Sequence, residues 1–367
     1  MTSTRQITTM QAAAVLISTI IGVGVLPLPL FAVHTAESGA PLVTFISMLI
    51  ALVGTILLAL LGMRFPDQTI IEYSGSIIGK WPARIGSAMI IAFFAVLTSL
   101  TAREFGEVVI TAVLQRTPVE VTVIVMLSLA AISSRKDIAT FGYIHFFYFP
   151  LLLGPVLLIA TLSLKNADAL NLLPIWGNGN IGIKATIDGI LTIASLFQSS
   201  FVLTIVIPAM RRPRKALKAA VWGVLISGGL YIIIVIANVS VFGAEETKNL
   251  LWPTLELAKA TSLPANVLER LDAAFLAVWV TAVFTTLFST YALTTRELAN
   301  LFRLRDHGAL CFFLLPFVFF LAMLPQNILN MYEVIRNVGQ VGLCITIGYP
   351  ALLLAVAVLR GKRGDRP

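Results

Sequence analysis

Apolar residues along this chain are grouped into long runs separated by short polar segments. A helix needs about 20 predominantly apolar residues to cross a bilayer. Ten runs reach or approach this length, and each is predicted to span the membrane: Thr9–Phe31, Leu42–Met63, Ile85–Leu114, Val119–Ser133, Tyr143–Leu164, Ala185–Met210, Ala219–Phe242, Leu271–Thr294, Leu310–Leu324 and Val338–Leu359. The pattern predicts an all-α polytopic membrane protein with ten transmembrane helices, forming one membrane domain over residues 1–367.

The first predicted span is interrupted near its middle by Gly22, Gly24 and Pro27. Lipid offers no water to an unpaired peptide group, so such an interruption must face protein or an aqueous cavity. In membrane transporters, free backbone groups at a broken helix are where a small solute is held. This break predicts a buried solute site.

The sixth predicted span has a matching polar interruption around Gln198, Ser199 and Ser200. Gly22 lies 13 residues after the start of the first span and Ser199 lies 14 after the start of the sixth, so both breaks fall near mid-bilayer. Taken singly, glycines or polar residues in a membrane helix are explained by packing and interhelical hydrogen bonds. Two breaks at equal depth in oppositely directed spans instead predict a 5+5 inverted repeat, with halves at residues 1–164 and 165–367.

Composition and charge support a membrane protein with a defined orientation. The chain is 58% hydrophobic and only 12% charged, against about 25% charged residues in soluble domains. The N-terminus, the even-numbered loops and the C-terminus carry 18 of the 26 Lys and Arg residues. Both termini are therefore predicted to be cytoplasmic. The net charge of +8 does not indicate nucleic-acid binding, because the basic residues lie in short loops rather than on one soluble face.

The broken helices suit a zwitterionic ligand. The half-helix that begins near Gly24 and Val25 would present N–H groups to a carboxylate. Carbonyls near Ile20, Ile21 and residues 197–199 would accept hydrogen bonds from an ammonium group. The ligand-binding residues predicted at the two breaks are Ile21, Gly22, Val23, Gly24 and Val25 in the first span, and Phe197, Gln198, Ser199, Ser200 and Phe201 in the sixth.

Three charged residues, Arg103, Glu104 and Glu107, lie well inside the third predicted span. Ionisable groups in a bilayer are costly and often functional, which favours an outward gate or an ion path. The alternative is a pair near the outer third of the bilayer that reaches towards water. Arg103 and Glu107 are four residues apart and can pair on one helix face.

Two further features each leave two interpretations open. The basic cluster Arg211–Lys218 either contacts anionic lipid or docks a soluble domain of a partner subunit. The acidic outer loop Gly243–Arg270 is either a lid over an outward cavity or an ordered connector.

Several short segments resemble a known family when they are taken in their order along the chain. They are Gly22–Pro29, Ala102–Glu107 with Arg116–Pro118, Pro208 followed by the basic cluster, Leu251–Thr254, and Val278–Trp279 with Phe284–Thr286. Together they resemble the B subunits of spore germinant receptors, within the amino acid–polyamine–organocation transporter superfamily. The resemblance covers essentially the whole chain.

This resemblance implies a leucine-transporter-type fold with broken helices 1 and 6. It implies a receptor subunit that senses a small nutrient, commonly an amino acid, and acts with A and C subunits in the spore inner membrane to trigger germination. The third and eighth spans would complete the pocket through Leu97, Thr98, Thr101, Thr286 and Thr290.

A secondary amino acid or amine transporter is the alternative function, because the same fold serves transport. No Ser/His/Asp set, phosphate loop or metal-ligand cluster indicates an enzyme, a cofactor or a metal site.

Overall fold

The computed structural model describes residues 6–177, 179, 181–261, 271–304 and 306–364. Within them the regular structure is helical, apart from one isolated β-bridge between Ile7 and Met210. The part of the predicted outer loop at residues 262–270 lies outside the described residues.

From residue 6 onwards, where the description begins, the first half of the chain forms seven α-helices. They are α1 (Thr9–Ile20), α2 (Leu28–Ala36), α3 (Ala40–Arg64), α4 (Ile70–Ile78), α5 (Lys80–Ala112), α6 (Val119–Ser134) and α7 (Ile138–Ser163). Side chains fix several helix starts, because the first N–H groups of a helix have no partner within it. Thr8 and Gln11 form a capping box at α1, and Asp137 accepts a hydrogen bond from a backbone N–H at the start of α7.

The described residues of the second half form nine α-helices. They are α8 (Ile183–Ser195), α9 (Leu203–Val206), α10 (Ala216–Thr247), α11 (Pro253–Ala260), α12 (Leu271–Phe302), α13 (Gly308–Phe313), α14 (Leu315–Ala322), α15 (Ile328–Leu343) and α16 (Tyr349–Leu359). A π-helical turn at Cys344–Gly348 joins α15 to α16. Gly243 adopts a positive φ of 74° inside α10, directly after the predicted end of the seventh span at Phe242.

All ten predicted spans coincide with helical segments, which confirms the all-helical fold class. Six helices in the described part of the chain are long and apolar enough to cross a membrane, or seven if the bent pair that starts with α8 counts as one. Shorter apolar helices occupy Thr9–Ile20, Val119–Ser134 and Gly308–Ala322. The count of exactly ten crossings stays a prediction.

Both predicted breaks are present. The first follows α1: Gly22 has a non-helical ψ of −114°, a 3₁₀ turn covers Val23–Val25, and helical structure resumes at Leu28. The second follows α8, where a 3₁₀ segment at Gln198–Val202 leads into α9, and the two parts are bent by 41°. A glycine permits the first break, while a run of small polar residues accompanies the second.

The segments that the charge pattern assigns to the cytoplasm meet at one end of the bundle, here called the basic end. There the backbone N–H of Gln6 bonds to the carbonyl of Ala209 at 2.9 Å, and Arg64 donates to the carbonyl of Ala357 at 3.0 Å. At the opposite end, Lys248 forms an ion pair with Glu37 at 3.1 Å. The full alternation of loops, and the membrane face on which each end lies, stay predictions.

Candidate functional site

A small cavity of about 70 Å³ lies between the two breaks. Its walls come from five parts of the fold, so it exists only once the helices have packed. Those lining it are Ile20, Val23 and Gly24 at the first break, Ser195, Leu196, Gln198 and Ser199 at the second, Leu97, Leu100, Thr101 and Glu104 on α5, Thr286 on α12, and Ile335, Val338 and Gly339 on α15.

The carbonyls that end α1 are bonded to side chains of neighbouring helices. The Tyr231 hydroxyl donates to the carbonyl of Ile20 at 2.6 Å. The carbonyl of Thr19 accepts from Thr286 at 2.9 Å and from Ser199 at 3.1 Å. These hydroxyls therefore satisfy the carbonyls that end α1 and tie the first break to the second. The Ile20 carbonyl, expected to accept from a ligand's ammonium group, already accepts from Tyr231.

The two glycines of the first break meet different surroundings. A Cβ on Gly22 would lie 1.8 Å from the Thr286 hydroxyl oxygen, so Gly22 allows α12 to approach the backbone. A Cβ on Gly24 would lie 3.3 Å from the Tyr231 hydroxyl, a tight contact that a shift of a few tenths of an ångström would relieve. Gly24 lines the cavity, whereas the space beside Gly22 is filled by protein.

Two buried oxygen atoms of the lining residues have no hydrogen-bond partner among the described residues. One is Oε1 of Gln198, whose Nε2 donates to the carbonyl of Gly339 at 2.5 Å. The other is Oε1 of Glu104, a residue only 5% exposed. Buried polar atoms in native proteins are normally bonded, so each such atom calls for an explanation.

Glu104 is the one carboxyl group among the lining residues, and none of those residues is basic. Its neighbour Arg103 instead pairs with Glu107, with Nη2 and Oε1 2.8 Å apart, as the spacing of four residues predicts. Arg103 points about 100° away from Glu104 around α5, and neither Arg103 nor Glu107 lines the cavity. The two unbonded oxygens, on Glu104 and Gln198, are acceptors that suit a cationic or N–H-bearing ligand group.

Seven of the predicted ligand-binding residues line the cavity: Val23, Gly24, Leu97, Thr101, Gln198, Ser199 and Thr286. Glu104, predicted as part of a gate or ion path, lines it as well. The other predicted ligand-binding residues are absent from its wall: Ile21, Gly22, Val25, Thr98, Phe197, Ser200, Phe201 and Thr290.

Several of those eight residues serve contacts between helices or along one helix. Thr98 and Thr290 direct their hydroxyls to carbonyls one turn back, at 2.6 and 3.1 Å. The Ser200 hydroxyl meets Thr55 at 3.1 Å. Phe197 packs edge-on against Tyr231, with ring centroids 5.2 Å apart.

The outer loop reaches the first break, a link that the sequence does not reveal. Thr254, at the start of α11, donates its hydroxyl to the carbonyl of Val25 at 2.7 Å. The adjacent Trp252 is buried and donates to the Tyr332 hydroxyl at 2.9 Å. Residues 252–254 are thus an ordered connection between the loop and the broken helix, whereas residues 262–270 lie outside the described part.

A buried histidine lies behind the first break. His145 on α7 is within 2.8 Å of the Ser289 hydroxyl, which in turn lies 2.6 Å from the hydroxyl of Thr19 on α1. Its other ring nitrogen is 2.9 Å from the carbonyl of Phe141. This polar chain joins α7, α12 and α1, so His145 fixes the half-helix that ends at the cavity.

Comparison with known proteins gives a family match over most of the chain. A family model described as "Spore germination protein" matches residues 6–331. The spore germination protein YndE of Bacillus subtilis (strain 168) is 27% identical over 364 residues, which cover 99% of each chain.

Solved structures give a match in fold. MhsT in complex with L-phenylalanine has a TM-score of 0.72 at 13% identity, over 96% of this chain and 89% of that one. Mhp1, a nucleobase-cation-symport-1 family transporter, has a TM-score of 0.65 at 14% identity, over 98% and 80%. The fold is therefore of the leucine-transporter type.

Proposed function

Since the chain belongs to the spore germination protein family, we propose that it is the membrane subunit of a nutrient receptor that triggers germination. A small nutrient, an amino acid in the first instance, would bind between the two broken helices. The observation that carries this proposal is the cavity at the breaks, where one oxygen of Glu104 and one of Gln198 have no hydrogen-bond partner in the described part of the chain. Its small volume favours a small solute.

An amino acid would use both kinds of group that the cavity presents. Its ammonium group would donate to Glu104 and Gln198, because a buried carboxylate is stabilised by a partner of opposite charge. Its carboxylate would face the N–H groups of the half-helix that begins beyond Gly22, where the helix dipole favours negative charge. Leu97 and Thr101 would contact its side chain and so limit its size.

Binding at this cavity would be communicated outwards through the contact between Thr254 and Val25. A ligand that shifts the first break changes the position of the Val25 carbonyl, and with it the loop that begins at Trp252. The ion pair of Arg103 and Glu107 would act at the outward side of the same pocket. Receptor A and C subunits, the expected partners in the spore inner membrane, would respond to this movement.

The alternative function is a secondary transporter for amino acids or amines. The fold shared with Mhp1, a transporter by description, favours this reading. The two functions share one site and differ in whether the solute crosses the membrane.

A reconstitution experiment separates the two functions. Thermal-shift measurements on the purified protein, with a panel of amino acids, nucleosides and sugars, would identify the nutrient. The same protein in liposomes is then expected to bind that nutrient but to give little counterflow of it. Robust substrate-driven uptake would favour the transporter, and no thermal shift with any nutrient would contradict both functions.

A further inference from the structure

A second, larger cavity of about 1070 Å³ opens at the basic end, where α3, the turn before α10 and the end of α16 meet. Six of the residues that line it are basic and none is acidic. The basic ones are Arg64, Arg211, Arg212, Arg214, Lys215 and Arg363. Such a concentration of one charge in a recess attracts an anionic ligand.

These positive charges are not neutralised within the described part of the protein. Arg64 donates to the carbonyls of Lys362 at 2.5 Å and Ala357 at 3.0 Å, and Arg211 donates to the carbonyl of Gln6 at 3.2 Å. Carbonyls accept hydrogen bonds but leave the guanidinium charge in place. None of the ion pairs among the described residues involves any of the six.

The remaining wall of this cavity is apolar and belongs to helices predicted to lie in the bilayer. Leu60 and Met63 come from α3, and Leu354 and Val358 come from α16. Leu60 is 37% exposed and Val358 is 57% exposed. The cavity therefore combines a cationic mouth with an apolar side.

The same basic turn, at residues 211–218, also borders an apolar groove on its other side. This groove, of about 420 Å³, lies between α1, α7 and α10, and Lys215 and Lys218 are its charged residues. Met10 and Trp222 are exposed along it, at 64% and 52%. Basic residues thus flank apolar, outward-facing surface on both sides of the turn.

We propose that the cavity between α3, residues 211–215 and α16 binds an anionic phospholipid. The phosphate would be held by the arginines, whose guanidinium groups suit phosphate oxygens, and an acyl chain would lie on the apolar wall. An acidic soluble domain would meet the same charges but would leave that apolar wall uncovered. The lipid accounts for both halves of the cavity.

The test measures lipid binding to the full-length protein in nonionic detergent. Phosphatidylglycerol, phosphatidylcholine, glycerol phosphate and a polyglutamate peptide are titrated separately, with thermal stability and native mass spectrometry as readouts. The variant R212Q/R214Q removes two charges of the cavity, and K80Q/R84Q removes two exposed charges of the same predicted membrane side as the matched control. Ligand-free melting temperatures show whether each variant is folded.

Phosphatidylglycerol is expected to bind at least about tenfold tighter than phosphatidylcholine. At about 1 kcal/mol per basic residue near a membrane surface, R212Q/R214Q should weaken this binding roughly 10- to 30-fold, and K80Q/R84Q less than about twofold. If the double variant does not fold, R363Q alone should weaken binding about fivefold. Equal binding of the two lipids, an equal loss in the control, or equal protection by glycerol phosphate or polyglutamate would overturn the proposal.

Discussion

The substitution Glu104→Gln separates a ligand-binding role of this carboxyl group from a structural role. Glu104 is buried in the cavity wall, its Oε1 has no described partner, and no basic residue lines the cavity. Glutamine has nearly the same shape and keeps one acceptor oxygen, but it carries no charge. The substitution therefore removes the charge with little change in packing.

The expected loss of affinity follows from the proposed contact with an ammonium group. Removing one partner of a buried, hydrogen-bonded charge pair costs about 2–5 kcal/mol. Because glutamine keeps an acceptor, we expect binding to weaken by about 3 kcal/mol, which is roughly a 100-fold increase in Kd. The ligand-free protein should be as stable as the wild type or more so, because an uncompensated buried carboxyl group has been removed.

The assay is titration of the purified protein with the amino acid that gives the largest thermal shift, alongside the melting temperature without ligand. Glu107→Gln is the matched control on the same helix, since Glu107 pairs with Arg103 on the outward side and does not line the cavity where the ammonium group would bind. This control should lower the melting temperature but change the affinity only a few-fold. Wild-type affinity in Glu104→Gln, or a loss of stability as large as in the control, would refute the reasoning.

Three further substitutions test the surroundings of the cavity. Gly22→Ala should destabilise the fold by about 1–3 kcal/mol, because its Cβ would overlap Thr286. Gly24→Ala should stay folded and weaken binding, and equal melting temperatures of the two variants would contradict this. Thr254→Val should leave the nutrient's Kd within a few-fold but reduce the germination response in spores, and an unchanged dose-response would argue against coupling through the loop. Tyr231→Phe should cost about 1–3 kcal/mol in thermal unfolding, because the last carbonyl of α1 loses its partner; wild-type stability would count against that role.

The fold was predictable from the sequence because its main signals are local. Hydropathy alone placed α3 and α6 within a few residues of their observed ends, and Gly22 marked the first break. The prediction failed where helices are amphipathic. The last long helical segment begins at Ile328 rather than Val338, because polar residues such as Glu333 and Arg336 interrupt its apolar pattern. Hydropathy does not predict the short helices α4 and α11 for the same reason.

The candidate site was only partly predictable because its wall depends on how helices rotate and pack. Neighbouring residues on a helix point about 100° apart, so Arg103 and Glu104 cannot share a face. Which of them faces the cavity is set by the packing of α5. Likewise, Gly339 joins the wall because α15 approaches Gln198, a contact between residues more than a hundred positions apart.

The central claim is that a nutrient occupies the space between the two broken helices. An experimental structure of the protein with its nutrient bound tests this most directly. The ligand is predicted to lie against Gly24, with its ammonium group within hydrogen-bond distance of Glu104 and Gln198. A ligand found elsewhere while this cavity stays filled by side chains or water would contradict the claim.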